Sequence, residues 1–152
     1  MNDFSQDKSA RLLELLGQEI ELFGQICELS GKQAELLAAD DINAFNDSLD
    51  SRQEIIEEIN GLHQETDILM QSYVSLTSAD TRRKIYAIEK AIAQRHNLIS
   101  ECASLNKKNT ISAKEKASNY TNRIDRLSLR RKSMERYAPD ITYSSEMFDK
   151  KT

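Results

Sequence analysis

This chain of 152 residues has one proline, four glycines, no tryptophan and 30% charged residues, a composition that favours long helices over sheets. With 39% hydrophobic residues it has no apolar run near the roughly 18 residues that a bilayer span requires, so we expect no membrane insertion. Its net charge of −4 is uneven: residues 1–106 carry nine basic and nineteen acidic residues, whereas residues 107–136 carry ten and three.

Two long helices joined by a short turn are predicted first. The first runs from about residue 7 to residue 39, because leucines recur at every seventh position and make a wide apolar stripe. These leucines are Leu15, Leu22, Leu29 and Leu36. Asp41 can cap a second helix over about residues 41–73, and the short turn makes this helix run back antiparallel to the first.

A third helix is predicted over about residues 79–111, after a turn in which Ser78 is the expected cap. A lane of residues seven apart begins in this helix, and this spacing is typical of a coiled-coil seam. The lane consists of Ile85, Ile92, Ile99, Asn106, Ala113, Tyr120, Leu127 and Met134. Since it changes from isoleucine to small, polar and aromatic residues, we expect good packing in its first half and poor packing in its second.

The C-terminal part of the chain allows two arrangements. Residues 113–136 either continue the third helix or fold back as a fourth, since the polar run 106–110 has neither glycine nor proline to force a turn. Residues 139–152 are expected to form a disordered tail. The predicted fold is thus all-α: one domain over residues 1–138, an elongated antiparallel helical hairpin or bundle of three to four long helices, with coiled-coil packing and a mobile C-terminal segment.

The sequence gives little support to enzyme chemistry. His63 and His96 lie on different predicted helices without cysteine or carboxylate at metal-ligand spacing, and no phosphate loop or nucleophile motif is present. We therefore predict a non-enzyme with no metal and no cofactor. Cys27 and Cys102 are interpreted as buried thiols of a reducing compartment rather than a disulfide. Because the first residues do not resemble a secretory signal, we expect a cytoplasmic location.

Three glycines form the first candidate partner-binding feature. Gly17, Gly24 and Gly31 are seven residues apart, on a face of the first helix roughly opposite its leucine stripe. Each glycine costs a helix about 1 kcal/mol relative to alanine. One explanation is a shallow groove that another helix approaches closely, and the other is a helix that merely tolerates three glycines.

The basic segment 107–136 is the second candidate feature. Its ten positive charges could contact nucleic-acid phosphates, but Tyr120 is its only well-placed aromatic, which makes nucleic acid the less favoured partner. Its apolar residues make it amphipathic, and such a helix can pack against a partner helix. These residues are Tyr120, Ile124, Leu127, Met134 and Tyr137.

Part of the sequence resembles a known family. Residues 35–45, ELLAADDINAF, followed by Leu49, Arg52 and QEII at 53–56, resemble the helical hairpin of flagellar export chaperones of the FlgN type. In that family a leucine-rich helix ends near an aspartate-led tight turn, and a glutamate-rich helix follows. Residues 122–127, NRIDRL, and Tyr143 are similar in layout to the family's last helix and tail.

The resemblance implies a cytoplasmic chaperone of bacterial flagellum biogenesis. Family members bind the C-terminal helical segments of hook-associated proteins, prevent premature assembly and aid delivery to the type III export apparatus, whose components are further possible partners. The apolar residues of the last helix are then the first choice for the client surface, and the glycine stripe is the second. Two alternatives stay open: a nucleic-acid-binding protein that uses residues 107–136, and a structural coiled-coil homo-oligomer.

Overall fold

A computed structural model describes residues 4–137 of the chain, with side chains described to residue 134. It contains α1 (Gln6–Ala38), α2 (Ile42–Ala79), a 3-10 turn (Thr81–Arg83) and α3 (Tyr86–Tyr137). No strand occurs among the described residues, which confirms the all-α class. The predicted tail at 139–152 lies outside them. Within this described part, no helix has both the length and the hydropathy needed to cross a bilayer.

Polar side chains cap the N-termini of the first two helices. The hydroxyl of Ser5 accepts a hydrogen bond from the Lys8 N–H at 3.2 Å, and the Asp41 carboxylate accepts one from the Ala44 N–H at the same distance. Each satisfies a donor that a helix start leaves unpaired. Asp40 takes a left-handed conformation with φ of 58°, which an aspartate tolerates better than most residues. The tight turn and its aspartate cap are therefore as predicted.

The connection between α2 and α3 differs from the prediction. α2 continues to Ala79 rather than ending near residue 73, since the Thr77 hydroxyl donates to the Tyr73 carbonyl at 3.0 Å and the threonine fits inside the helix. Ser78 is helical, so its prediction as a cap is wrong. Asp80 has this role instead, because its carboxylate accepts from the Arg82 N–H at 3.0 Å and starts the 3-10 turn.

α3 is one unbroken helix of 52 residues, so residues 113–136 continue the helix predicted at 79–111, which is one of the two arrangements that the sequence allowed. The polar run 106–110 does not interrupt it. Asn109 in that run is buried, and its amide donates to the Ser30 carbonyl of α1 at 2.9 Å, so a polar residue serves here as a packing residue. The chain divides into two compact units, Met1–Ser112 and Ala113–Thr152. The single domain over residues 1–138 stays a prediction.

The first unit contains two apolar clusters, each made by all three helices. One consists of Leu12, Leu16, Tyr73, Ile88 and Ala91, and the other consists of Leu22, Ile26, Ile59 and Cys102. Residues near the start of α1 contact residues near the end of α2, and later residues of α1 contact earlier residues of α2, so these helices are antiparallel. In this unit α3 runs parallel to α1. Two side-chain pairs between α1 and α3, Glu19–Arg95 and Gln33–Asn109, have the same separation of 76 residues. This constant register aligns heptad positions of the two helices, although coiled-coil packing itself stays a prediction.

The buried lane of α3 is not the predicted one. Its inward positions recur every seven residues at Ile88, Arg95, Cys102 and Asn109, which are buried or nearly so. In the predicted lane, Ile85 and Ile92 pack only at the edge of the first cluster, and Ile99 is 40% exposed. The sequence thus predicted the seven-residue spacing of the inward positions but not which positions face inward. The reason is that the central lane of α3 carries an arginine, a cysteine and an asparagine.

Candidate functional site

A charged group lies between the two apolar clusters of the first unit. Glu19 of α1 is only 1% exposed, and one of its carboxylate oxygens accepts a hydrogen bond from Arg95 Nη1 of α3 at 3.1 Å. His63 Nδ1 of α2 lies 3.8 Å from the other oxygen. Since a buried carboxylate is costly unless it is paired, Arg95 compensates Glu19 and fixes the positions of α1 and α3 relative to each other.

Sequence reasoning missed this group because its members are far apart in the chain. The sequence shows no carboxylate at metal-ligand spacing from His63, but in the fold its side chain, although 61% exposed, faces the buried Glu19 carboxylate. The available signal was Glu19, a charged residue in phase with Leu12 and Ile26 on the buried stripe of α1. The carboxylate of this group, that of Glu19, is already paired with Arg95. Among residues 4–134, no cluster of three or more metal-binding side chains is present.

A second polar group follows two heptads further along α3. Asn109 donates to the Ser30 carbonyl at 2.9 Å and to Gln33 Oε1 at 3.5 Å, and all three residues are buried. Within the described part of the chain, the Ser30 hydroxyl and the Gln33 Nε2 have no hydrogen-bond partner. The first unit therefore alternates apolar and polar contacts along the interface between α1 and α3.

The two cysteines lie together between these polar groups. Their Sγ atoms are 2.8 Å apart, and both cysteines are free thiols. Each sulfur also faces a backbone carbonyl of the opposite helix: Cys102 Sγ lies 3.3 Å from the Phe23 oxygen and Cys27 Sγ lies 3.8 Å from the Leu98 oxygen. Burial, followed by the contact with Cys27, raises the pKa of the Cys102 thiol to about 12. The two thiols are thus free, as the sequence predicts, but only Cys102 is fully buried and the two lie side by side.

Tyr73 lies close to where α2 ends and α3 begins. It is buried, its hydroxyl accepts from the Ile85 N–H at 2.9 Å, and it donates to the Glu89 carboxylate at 3.2 Å. Burial raises the pKa of this phenol. The Phe4 ring meets it edge-on, with ring centroids 5.6 Å apart. Tyr73 thus joins the end of α2 to the start of α3 and helps to line a cavity of about 360 Å³.

The glycine stripe faces open space. A Cβ atom added at Gly17, Gly24 or Gly31 would have no neighbour within 4 Å, so no described helix approaches this face closely. The structure leaves the stripe available to a partner but shows no closely packed groove. A separate groove of about 480 Å³ lies between α1 and α2, with Glu21 and Glu58 among its lining residues. Sequence reasoning did not single out this groove.

The second unit carries the other predicted surface. Tyr120, Ile124, Leu127 and Met134 are between 41% and 52% exposed. At about 100° per residue they fall within roughly 40° of Tyr120 on either side, so they share one face of α3. The side chain of Tyr137, the fifth predicted member, lies outside the described residues. We call Tyr120, Ile124, Leu127 and Met134 the apolar face of α3.

A basic side chain lies beside this apolar face. The Arg123 guanidinium carbon lies 5.9 Å from the centre of the Tyr120 ring, within the range of a cation–π contact. Leu129 is more exposed, at 65%, and its position is about 180° from Tyr120, on the opposite side of the helix. This segment therefore combines an exposed apolar stripe with positive charges and contains an exposed leucine, Leu129, outside the stripe.

Comparisons with protein-family models, with curated proteins and with solved structures give no match to this chain.

Proposed function

We propose that this protein is a cytoplasmic export chaperone that binds the C-terminal helical segment of flagellar hook-associated proteins. In this role it prevents their premature assembly and aids their delivery to the type III export apparatus. The proposal rests on the resemblance of residues 35–56 and 122–127 to the FlgN-type family. The single structural observation that supports it is the exposed apolar face of α3.

The apolar face suits an amphipathic helical client. A helix with three or four apolar anchors at successive turns can pack against a second amphipathic helix and bury both apolar stripes. Burying a leucine or isoleucine side chain contributes roughly 1.5–3 kcal/mol, so a few such contacts are enough for a specific complex. Such binding requires no nucleotide or metal. The glycine stripe of α1 is the second candidate client surface.

Ten of the 21 basic residues lie in residues 107–136, the segment that contains the apolar face, so salt dependence separates the proposal from nucleic-acid binding. A complex held by apolar contacts keeps most of its affinity as salt is raised. Binding through phosphates loses affinity steeply, because each contact releases counterions. A protein that bound nucleic acid in this salt-dependent way and ignored client peptides would favour the alternative.

Calorimetric titration with the C-terminal segment of a hook-associated protein tests the client surface. Leu127→Glu introduces a charge into the apolar face, and Leu129→Glu introduces the same charge two residues away on the opposite side of the same helix. We expect Leu127→Glu to weaken binding at least about tenfold, which corresponds to the loss of one well-buried leucine. Leu129→Glu should bind like the unchanged protein.

The paired variants make the outcome easy to interpret. Both have the same net charge and both replace leucine by another good helix former, so a general effect on α3 would appear in both. Equal loss of affinity in the two variants, or no loss in either, would contradict the assignment of the apolar face. If Gly24→Leu alone abolished binding, the client surface would instead be assigned to the glycine stripe.

A further inference from the structure

We propose that Cys27 and Cys102 are a redox modification site, which closes to an intramolecular disulfide when the protein meets a small-molecule disulfide such as oxidised glutathione. The bond would tie α1 to α3 in the middle of the first unit. This proposal is independent of the client-binding role.

The position of the two sulfurs supports the proposal. The two sulfurs are 2.8 Å apart although their residues are 75 positions apart in the chain, so the fold itself brings the thiols together. The register of 76 residues between Glu19 and Arg95 and between Gln33 and Asn109 holds the two helices on either side of the pair. Two ordered contacts therefore flank the cysteines and keep them facing each other.

The accessibility of the two thiols predicts the order of the reaction. Cys27 is partly exposed, whereas Cys102 is buried within the cluster of Leu22, Ile26 and Ile59. Cys27, as the more accessible thiol, loses its proton and attacks one sulfur of oxidised glutathione, releasing one glutathione and leaving the other bound to Cys27. Cys102 then loses its proton and attacks Cys27 Sγ, which releases the second glutathione. The two cysteines lose two electrons in total, and the oxidant takes them up.

Burial makes the second step slow but not unfavourable. The raised pKa of Cys102 means that few of its thiols are ionised at neutral pH, and only the thiolate attacks a disulfide. The attacked sulfur is already adjacent, however, so this step is intramolecular and needs no second collision. We therefore expect a short-lived glutathione adduct on Cys27 and a disulfide as the stable product.

The bond should stabilise the fold, because it closes a long loop. In the chain-entropy view, cross-linking residues 75 positions apart restricts the unfolded chain strongly. For a chain of this size, the corresponding rise in melting temperature is on the order of 10 °C. Dithiothreitol should reverse the rise completely.

The experiment treats the full-length reduced protein with oxidised glutathione and follows its intact mass, its free thiols after denaturation and its melting temperature. The proposal expects a monomer that has lost two hydrogens, has no free thiol and melts at a higher temperature. Cys27→Ser should remain without any internal bond, and Cys102→Ser should stop at the glutathione adduct on Cys27.

Several outcomes would overturn the proposal. These are a stable glutathione adduct on the unchanged protein, a disulfide-linked dimer, two thiols that remain free, or a lower melting temperature after oxidation. The measurements on the unchanged protein decide the question even if one of the serine variants fails to fold.

Discussion

Replacement of Arg95 by methionine tests the buried charged group most severely. Methionine keeps much of the length of the side chain but leaves the Glu19 carboxylate, which is 1% exposed, without its 3.1 Å partner. Removal of one member of a buried pair typically costs about 3–5 kcal/mol. Since the Arg95 side chain is 18% exposed and His63 lies 3.8 Å from Glu19, some compensation remains, so we expect about 3 kcal/mol.

The double variant Glu19→Leu with Arg95→Met gives the diagnostic comparison. It removes both charges and fills the space with apolar groups, and such replacements of buried pairs are often neutral or stabilising. The double variant should therefore be more stable than Arg95→Met alone. Urea unfolding followed by far-ultraviolet circular dichroism measures both, and at about 3 kcal/mol the single variant should also melt on the order of 10 °C lower.

The chain supplies its own control in a second arginine–glutamate pair. Arg11 and Glu65 are 2.7 Å apart, yet their side chains are 42% and 51% exposed. Solvent screens such a pair, so Arg11→Met should change the urea midpoint only slightly. The reasoning would be refuted if Arg95→Met cost no more than Arg11→Met, or if the double variant were less stable than the single.

Three further predictions concern Gly24, the contact between Gln33 and Asn109, and Tyr73. Gly24→Ala should stabilise α1 by up to about 1 kcal/mol, visible as a higher melting temperature, because the added Cβ meets nothing; a lower one would contradict this. Gln33→Leu should leave stability unchanged or raise it in urea unfolding, because the Gln33 Nε2 is buried without a partner, whereas Asn109→Leu should lower it. The folded state holds the Tyr73 proton more tightly than the unfolded chain, so the melting temperature should fall as pH rises above the ordinary tyrosine pKa, and Tyr73→Phe should reduce that fall.

Local signals predicted the helices well where the chain has strong caps. The leucine stripe and Asp41 placed the first helix and the start of the second within a residue or two. The segment after Tyr73 was misread because serine and threonine are common in turns, while Thr77 bonds to the carbonyl one turn earlier and continues the helix. Sequence alone does not distinguish these two uses of a hydroxyl.

The central contacts of the first unit could not be predicted from hydrophobicity. The isoleucines at 85, 92 and 99 make the clearest apolar lane, but α3 packs through a neighbouring lane that includes Arg95, Cys102 and Asn109. Each of these three residues faces α1, which provides a polar or sulfur-containing partner far away in sequence. Periodicity gives the spacing of such a lane, but its phase depends on the partner helix. For the apolar face of α3, the structure shows exposed side chains at Tyr120, Ile124, Leu127 and Met134, and their role as a binding surface stays a prediction.

Calorimetric titration of the full chain with the C-terminal segment of a hook-associated protein, at low and at high salt, tests the proposed function most directly. A chain that ends at Ser112 is the comparison, because it keeps both apolar clusters and lacks the apolar face of α3. The proposal predicts tight binding by the full chain that persists at high salt and is lost on truncation. Absence of binding by the full chain to segments from a matched flagellar system would contradict the chaperone function, and undiminished binding by the shortened chain would contradict the proposed surface.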